Sequence, residues 1–294
     1  MTDLRFPPDI AVGEVSWEDD QESHRWGHLL AIGVVQVPDG TPVMLSVYPV
    51  VEVSVSNRRG GWAAPIGTPP PPPVAPHDVR ERVTWHRDMP DRASRNNRSI
   101  WGDADEVSHS IENSSEPVDL EFLRHLPPDS VCELNLGEVV PPSFAAVAHL
   151  APGLRDLSVF IDDNLNASDL PVLAQLTALQ RLSLAGNMIP EDGDSSLLDD
   201  GALEAIADLP AIEALTLLGG SYTERGLQRL TRPPRLQHLH IEREDLTASM
   251  FQFAASMPAL IRLTGLDEFG DQGPMPPDEF SRLRAMLPPH ISVD

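Results

Sequence analysis

In the stretch LQHLHIE, His238, His240 and Glu242 stand at alternate positions. Alternate residues of a strand point to one face, so two imidazoles and a carboxylate would share a surface. Those groups are zinc ligands, and three of them with a fourth position open is the arrangement of a catalytic zinc site. The outward neighbours Thr216 and Thr264 add no good zinc ligand. The plainer reading is two exposed histidines in a binding surface. His24 and His28, four apart in ESHRWGH, carry no stronger signal. The segment EDGDSSLLDD (191–200) holds five carboxylates in ten residues. Clustered carboxylates can hold calcium, but the D-x-D-x-D-G spacing is absent, and a solvated acidic loop is expected. The single cysteine, Cys132, is expected to be a packed thiol rather than a nucleophile. All 21 basic residues are arginine, so no lysine exists to complete a phosphate-binding P-loop. No G-x-S-x-G elbow occurs. The expectation is a non-enzyme without cofactor. The alternatives are chemistry within residues 1–118, or a metal-responsive binder using His238, His240 and Glu242.

The elements that position these residues follow from a recurring pattern. LQRLSLAGNMIP (179–190) places leucines at spacings of three and then two, which is neither helical nor simply alternating. The pattern recurs as VCELNL (131–136), LRDLSV (154–159), IEALTL (212–217) and LQHLHI (236–241). LIRLTG (260–265) is a degenerate sixth copy, and ISVD at the C-terminus reads as a truncated seventh with Ile291 and Val293 inward. Start-to-start spacings are 23, 25, 33, 24 and 24 residues. Amphipathic runs follow each copy, among them SFAAVAHLAPG, GALEAIADLPA and SMFQFAASMPA. They predict helices, with Thr223 and Thr247 at N-cap positions. Each unit is thus a short strand, a turn and a helix. One unit cannot bury its own apolar face, whereas side-by-side stacking makes a continuous core.

These residues resemble leucine-rich repeats of the L-x-x-L-x-L-x-x-N type. The period and the helix-forming second halves resemble the ribonuclease-inhibitor-like branch, and YTERGLQRL (222–230) is similar to repeats common in bacterial members. Only Asn187 matches the asparagine position, so no continuous asparagine ladder is expected. The resemblance implies an α/β solenoid with a curved parallel sheet on the concave side, helices on the convex side, and a partner bound on the concave face.

Strand alternation then gives three outward columns. Position three reads Glu133, Asp156, Arg181, Ala214, His238, Arg262 and His290. Position five reads Asn135, Ser158, Ser183, Thr216, His240, Thr264 and Ser292. Position seven reads Gly137, Phe160, Ala185, Leu218, Glu242, Leu266 and Asp294. Phe160, Leu218 and Leu266 among small polar residues suit a protein or peptide partner.

Residues 1–58 predict a β-hairpin region built on the turn signal Pro38-Asp39-Gly40-Thr41, expected to cap the stack. Residues 59–118, with GTPPPPPVAP, RASRNNRS and three tryptophans (Trp62, Trp85, Trp101), predict a polar linker or long loop. Residues 119–294 hold the repeats. The formal net charge of −24 disfavours nucleic acid and favours a basic or neutral partner. One cysteine, no visible signal peptide and no apolar run of membrane-spanning length predict a cytoplasmic protein.

Overall fold

The structure is a computed structural model. It describes residues 1–8, 12–19, 25–48, 50–57, 60–65, 83–84, 98–102, 108–113, 117–137, 139–140, 143–161, 165–166, 168–186, 196–242, 247–265 and 275–293. Within 18–30 and 50–113 the description is of backbone strands and their pairing.

The first ten strands are β1 (Thr2–Arg5), β2 (Gly13–Asp19), β3 (Arg25–Leu30), β4 (Val34–Val37), β5 (Val43–Val47), β6 (Val50–Asn57), β7 (Gly60–Pro65), β8 (Val83–Thr84), β9 (Arg98–Gly102) and β10 (Ser108–Asn113). The repeats contribute β11 (Val131–Leu136), β12 (Asp156–Phe160), β13 (Arg181–Ala185), β14 (Ala214–Leu218), β15 (His238–Glu242), β16 (Arg262–Thr264) and β17 (Ser292–Val293). One sheet runs in the order β17-β16-β15-β14-β13-β12-β11-β5-β2-β3. From β17 to β5 every pairing is parallel, and β2 and β3 continue it antiparallel. The architecture is mixed α/β with a mostly parallel sheet and few helices, consistent with a leucine-rich-repeat-like fold.

The mixed leucine spacing now has its physical cause. Leu134, Leu157, Leu182, Leu215, Leu239 and Leu263 lie opposite one another across the sheet. All six are buried in one core that extends from Leu4 to Ile291. Each such leucine contributes about 1.5–3 kcal/mol relative to exposure. Just before the strands, the amide of each position-two residue donates to the carbonyl of its predecessor. Arg155 bonds Cys132, Gln180 bonds Arg155, Glu213 bonds Gln180 and Gln237 bonds Glu213, all at 2.8 Å, and Ile261 bonds Gln237 at 2.9 Å. Adjacent repeats are therefore joined by backbone as well as by packing.

The connecting segments depart from expectation. Helices α1 (Leu170–Leu173), α2 (Asp200–Ala207), α3 (Glu224–Gln228) and α4 (Pro277–Met286) form, but Ser143–Leu150 and Ala248–Ser256 are 3-10 helices. A 3-10 helix rises about 2.0 Å per residue against 1.5 Å in an α-helix, so these segments are more extended than α-helices of the same length. The 33-residue third repeat has room for the eight-residue α2. Thr223 caps α3 as predicted, its Oγ1 accepting from the Gly226 amide at 3.3 Å. Thr247 occupies the N-cap of its segment without a capping bond. Its Oγ1 pairs with Ser249 Oγ at 2.9 Å, while Glu279 Oε2 accepts from the Ala248 amide at 3.1 Å.

Three further expectations are corrected. The turn at 38–41 forms, with the Thr41 amide donating to Pro38 O at 3.3 Å, but its flanks are not a hairpin. Strand β4 pairs with β1, whereas β5 pairs with β2 and β11. Val43, Leu45 and Val47 are all fully buried, so β5 gains more as a first rung of the parallel stack than it would in an isolated hairpin. Residues 59–118 are not simply a linker: β7, β8, β9 and β10 join β6 in a five-stranded antiparallel sheet. The long β6 needs partners for both edges and finds them in β7 and β10. The polyproline run and Trp85 lie outside the described residues. Finally, β17 enters the sheet two residues late. Pro288 O accepts from the Ile291 amide in a turn at 3.0 Å, and Ser292, not His290, lies opposite Arg262. Ile291 and Val293 still face inward.

Candidate binding face

The pairing registers set the outward side chains in rows across the sheet. Position three aligns Glu133, Asp156, Arg181, Ala214, His238 and Arg262. Position five aligns Asn135, Ser158, Ser183, Thr216, His240 and Thr264, all half-buried. Position seven aligns Phe160, Ala185, Leu218 and Glu242. Neighbouring strands are about 4.8 Å apart, so each row is an ordered ladder of side chains. Leu266, Asn187 and Asp294 lie outside the described residues.

Sequence reasoning missed one rung. Met44, Leu45, Ser46 and Val47 of β5 lie opposite Glu133, Leu134, Asn135 and Leu136. Ser46 therefore extends the position-five row, and Met44 the position-three row. The signal was present, because MLSV at 44–47 repeats DLSV at 156–159. It lay 87 residues before the first recognised copy, with no matching period to draw attention to it.

The face is partly neutralised by its own charges. Arg181 Nε donates to Asp156 Oδ2 at 2.6 Å across β12 and β13. The Asp156 carboxylate also pushes the Arg181 guanidinium further toward its charged form. Asn135 Nδ2 donates to Glu133 Oε1 at 3.1 Å. The zinc arrangement does not assemble. His240 Nδ1 is engaged with Thr264 Oγ1 at 3.0 Å, and its Nε2 stands 3.9 Å from Glu242 Oε2. Among the described residues, no three His, Cys, Asp or Glu side chains are grouped to hold a metal. Gly265 follows Thr264 with φ +86°, and a Cβ there would stand 2.4 Å from the Ile241 carbonyl oxygen. Only glycine fits that turn beneath His240.

Cys132 is half-buried, its Sγ 3.4 Å from Val43 O. Burial, followed by the charge of Glu133, pushes its thiol above the usual range. A reactive cysteine needs the opposite shift. Of the acidic segment, 191–195 lies outside the described residues, and the remaining carboxylates serve the backbone. Asp199 caps α2 by accepting from the Gly201 and Ala202 amides at 2.7 and 3.1 Å. Asp200 accepts from the Thr223 amide and hydroxyl, both at 2.7 Å, tying α2 to α3. The signal for the Asp199 cap was an aspartate before the helix-forming GALEAIA.

No protein-family model matches the chain. No curated protein matches it either. Among solved structures, the crystal structure of an internalin, InlF, from Listeria monocytogenes matches over 60% of this chain and 50% of its own, at 19% identity and a TM-score of 0.33. This chain thus spans about half the length of that internalin chain. Among the described residues, no helix is long and apolar enough to cross a membrane.

Proposed function

We propose that the chain is a non-enzymatic scaffold that binds a protein or peptide partner on the open face of its parallel sheet. The observation that carries this reading is the register of the three rows. It presents Phe160, 36% exposed, beside Ala185 and Leu218, above a line of small hydroxyls. Apolar anchors next to adaptable hydrogen-bonding groups are what protein interfaces use. In this reading the repeats form a solenoid whose open sheet face is concave, with the connecting segments on the convex side. The period and helices α2 and α3 support the ribonuclease-inhibitor-like branch. Strands β1 to β5 cap one end of the core and α4 with β17 the other, since solenoid ends otherwise expose apolar surface. The net charge of −24 favours a basic partner over nucleic acid, and the single cysteine suits a reducing, cytoplasmic setting.

The test is affinity capture from the source cells with immobilised full-length chain. The double variant Phe160→Glu with Leu218→Glu is expected to lose the captured proteins. Arg225→Glu, on the exposed surface of α3, is expected to keep them. Capture unchanged by the double variant would refute the face.

A further inference from the structure

The third row has a feature finer than general exposure. Ala185 stands between Phe160 and Leu218 on adjacent strands. Two large apolar side chains, rooted two strand spacings or about 9.6 Å apart, flank a methyl group and leave a notch between them. The next rung beyond Leu218 is the Glu242 carboxylate. Glu242 keeps 27% of its side chain exposed, and its Oε2 lies 3.9 Å from His240 Nε2. Along one line across the sheet, the protein therefore offers a floored apolar notch and then a negative charge.

Building on the face reading above, we propose that this row recognises a basic, extended segment of a partner protein. That segment carries a bulky aliphatic residue at position i and an arginine or lysine at i+2. Residues i and i+2 of an extended chain share a face and are about 6.7 Å apart. With the aliphatic side chain seated over Ala185, residue i+2 arrives between Leu218 and Glu242, roughly 3 Å short of the latter along the row. The flexible stem of arginine or lysine spans the remaining distance to Glu242. The surplus of acidic residues over the whole chain, 45 against 21 basic, raises the local concentration of such a cationic segment.

The probe is a synthetic peptide, acetyl-Gly-Ser-Leu-Ser-Arg-Ser-Gly-amide, titrated into isotopically labelled full-length chain and followed by NMR. Saturable shifts of the Ala185 and Leu218 methyl signals are expected. Replacing the peptide leucine by serine is expected to weaken binding about tenfold or more. Replacing its arginine by glutamate is expected to weaken binding about threefold or more. In the protein, Ala185→Leu, which fills the notch, and Glu242→Gln, which keeps the shape, are expected to reproduce those two losses separately. Both positions are half-buried rather than core, and circular dichroism would verify folding.

Several results would overturn the proposal. One is the absence of saturable shifts at Ala185 and Leu218. Another is equal affinity for the arginine and glutamate peptides. Concentration-dependent shifts of the same signals without peptide would assign the notch to a second copy. Shielding of the Ala185 methyl group from a soluble nitroxide in the free chain would assign it to the chain's own residues. Capture of protein partners that survives Ala185→Leu but is lost with Phe160→Glu and Leu218→Glu would overturn this row and leave the wider face standing. Capture that survives both would overturn the face itself.

Discussion

At the scale of single residues, the inward leucines dominate. Leu215 is 1% exposed at the centre of the stack. Leu215→Asp removes its burial and places an unpaired carboxylate among apolar side chains. The expected cost is about 4 kcal/mol or more, a large part of the stability of an ordinary domain. An unchanged melting point and circular dichroism spectrum would contradict the assignment of that position to the core. Cys132 gives a second residue-scale test, because burial raises its thiol pKa. The folded state disfavours the thiolate, so this stability is fully present below the unfolded thiol pKa of about 8.5 and is lost as pH rises from there through the higher folded pKa. Alkylation at about pH 8 should be markedly slower in the folded chain than in denaturant, and equal rates would show an exposed thiol. The inward and outward alternation of these residues was legible in the sequence because a strand has a period of two. The order Phe160, Ala185, Leu218 and Glu242 along one row was legible too, because successive repeats pair in register. The rung supplied by Met44 and Ser46 of β5 was not, since no repeat period points to it.

Among the elements, strands were legible and connections were not. The L-x-x-L-x-L spacing identifies β11 to β16 because one side chain in each pair must be hidden. The connecting runs have helical apolar spacing, yet 143–150 and 248–256 fold as 3-10 helices. Amphipathic pattern reports which side is buried, not which helix type forms: the 24-residue repeats that start at 212 and 236 hold an α-helix and a 3-10 helix respectively. The local turn signal at 38–41 predicts a hairpin for β5. Its actual partner β11 begins 84 residues after β5 ends, beyond the reach of local reasoning. The first turn of α2 and the cap of α3 are coupled through Asp200, which accepts two bonds from Thr223. Thr223→Ala should therefore cost about 1 kcal/mol or slightly more, seen as a lower denaturant midpoint with an unchanged slope. A midpoint equal to that of the parent would mean that the cap and the Asp200 bond are replaced by solvent.

For the whole molecule, the repeats establish an ordered stack, and the stack makes the open face a ruled surface on which position in sequence maps to position in space. The acidic balance adds the sign of its long-range field. The partition into cap, linker and repeats was only partly readable. Residues 60–113 contribute four strands to a second sheet, although their composition is rich in breakers. The central claim is the parallel register, and a distance measured along the face tests it most directly. With Cys132→Ser as background, spin labels at Asn135→Cys and Thr264→Cys occupy the same row on β11 and β16. Pulsed electron paramagnetic resonance should give one narrow distribution centred near five strand spacings, about 24 Å, allowing for the label arms. A broad distribution, or a centre beyond about 35 Å, would contradict the register and with it the proposed binding face.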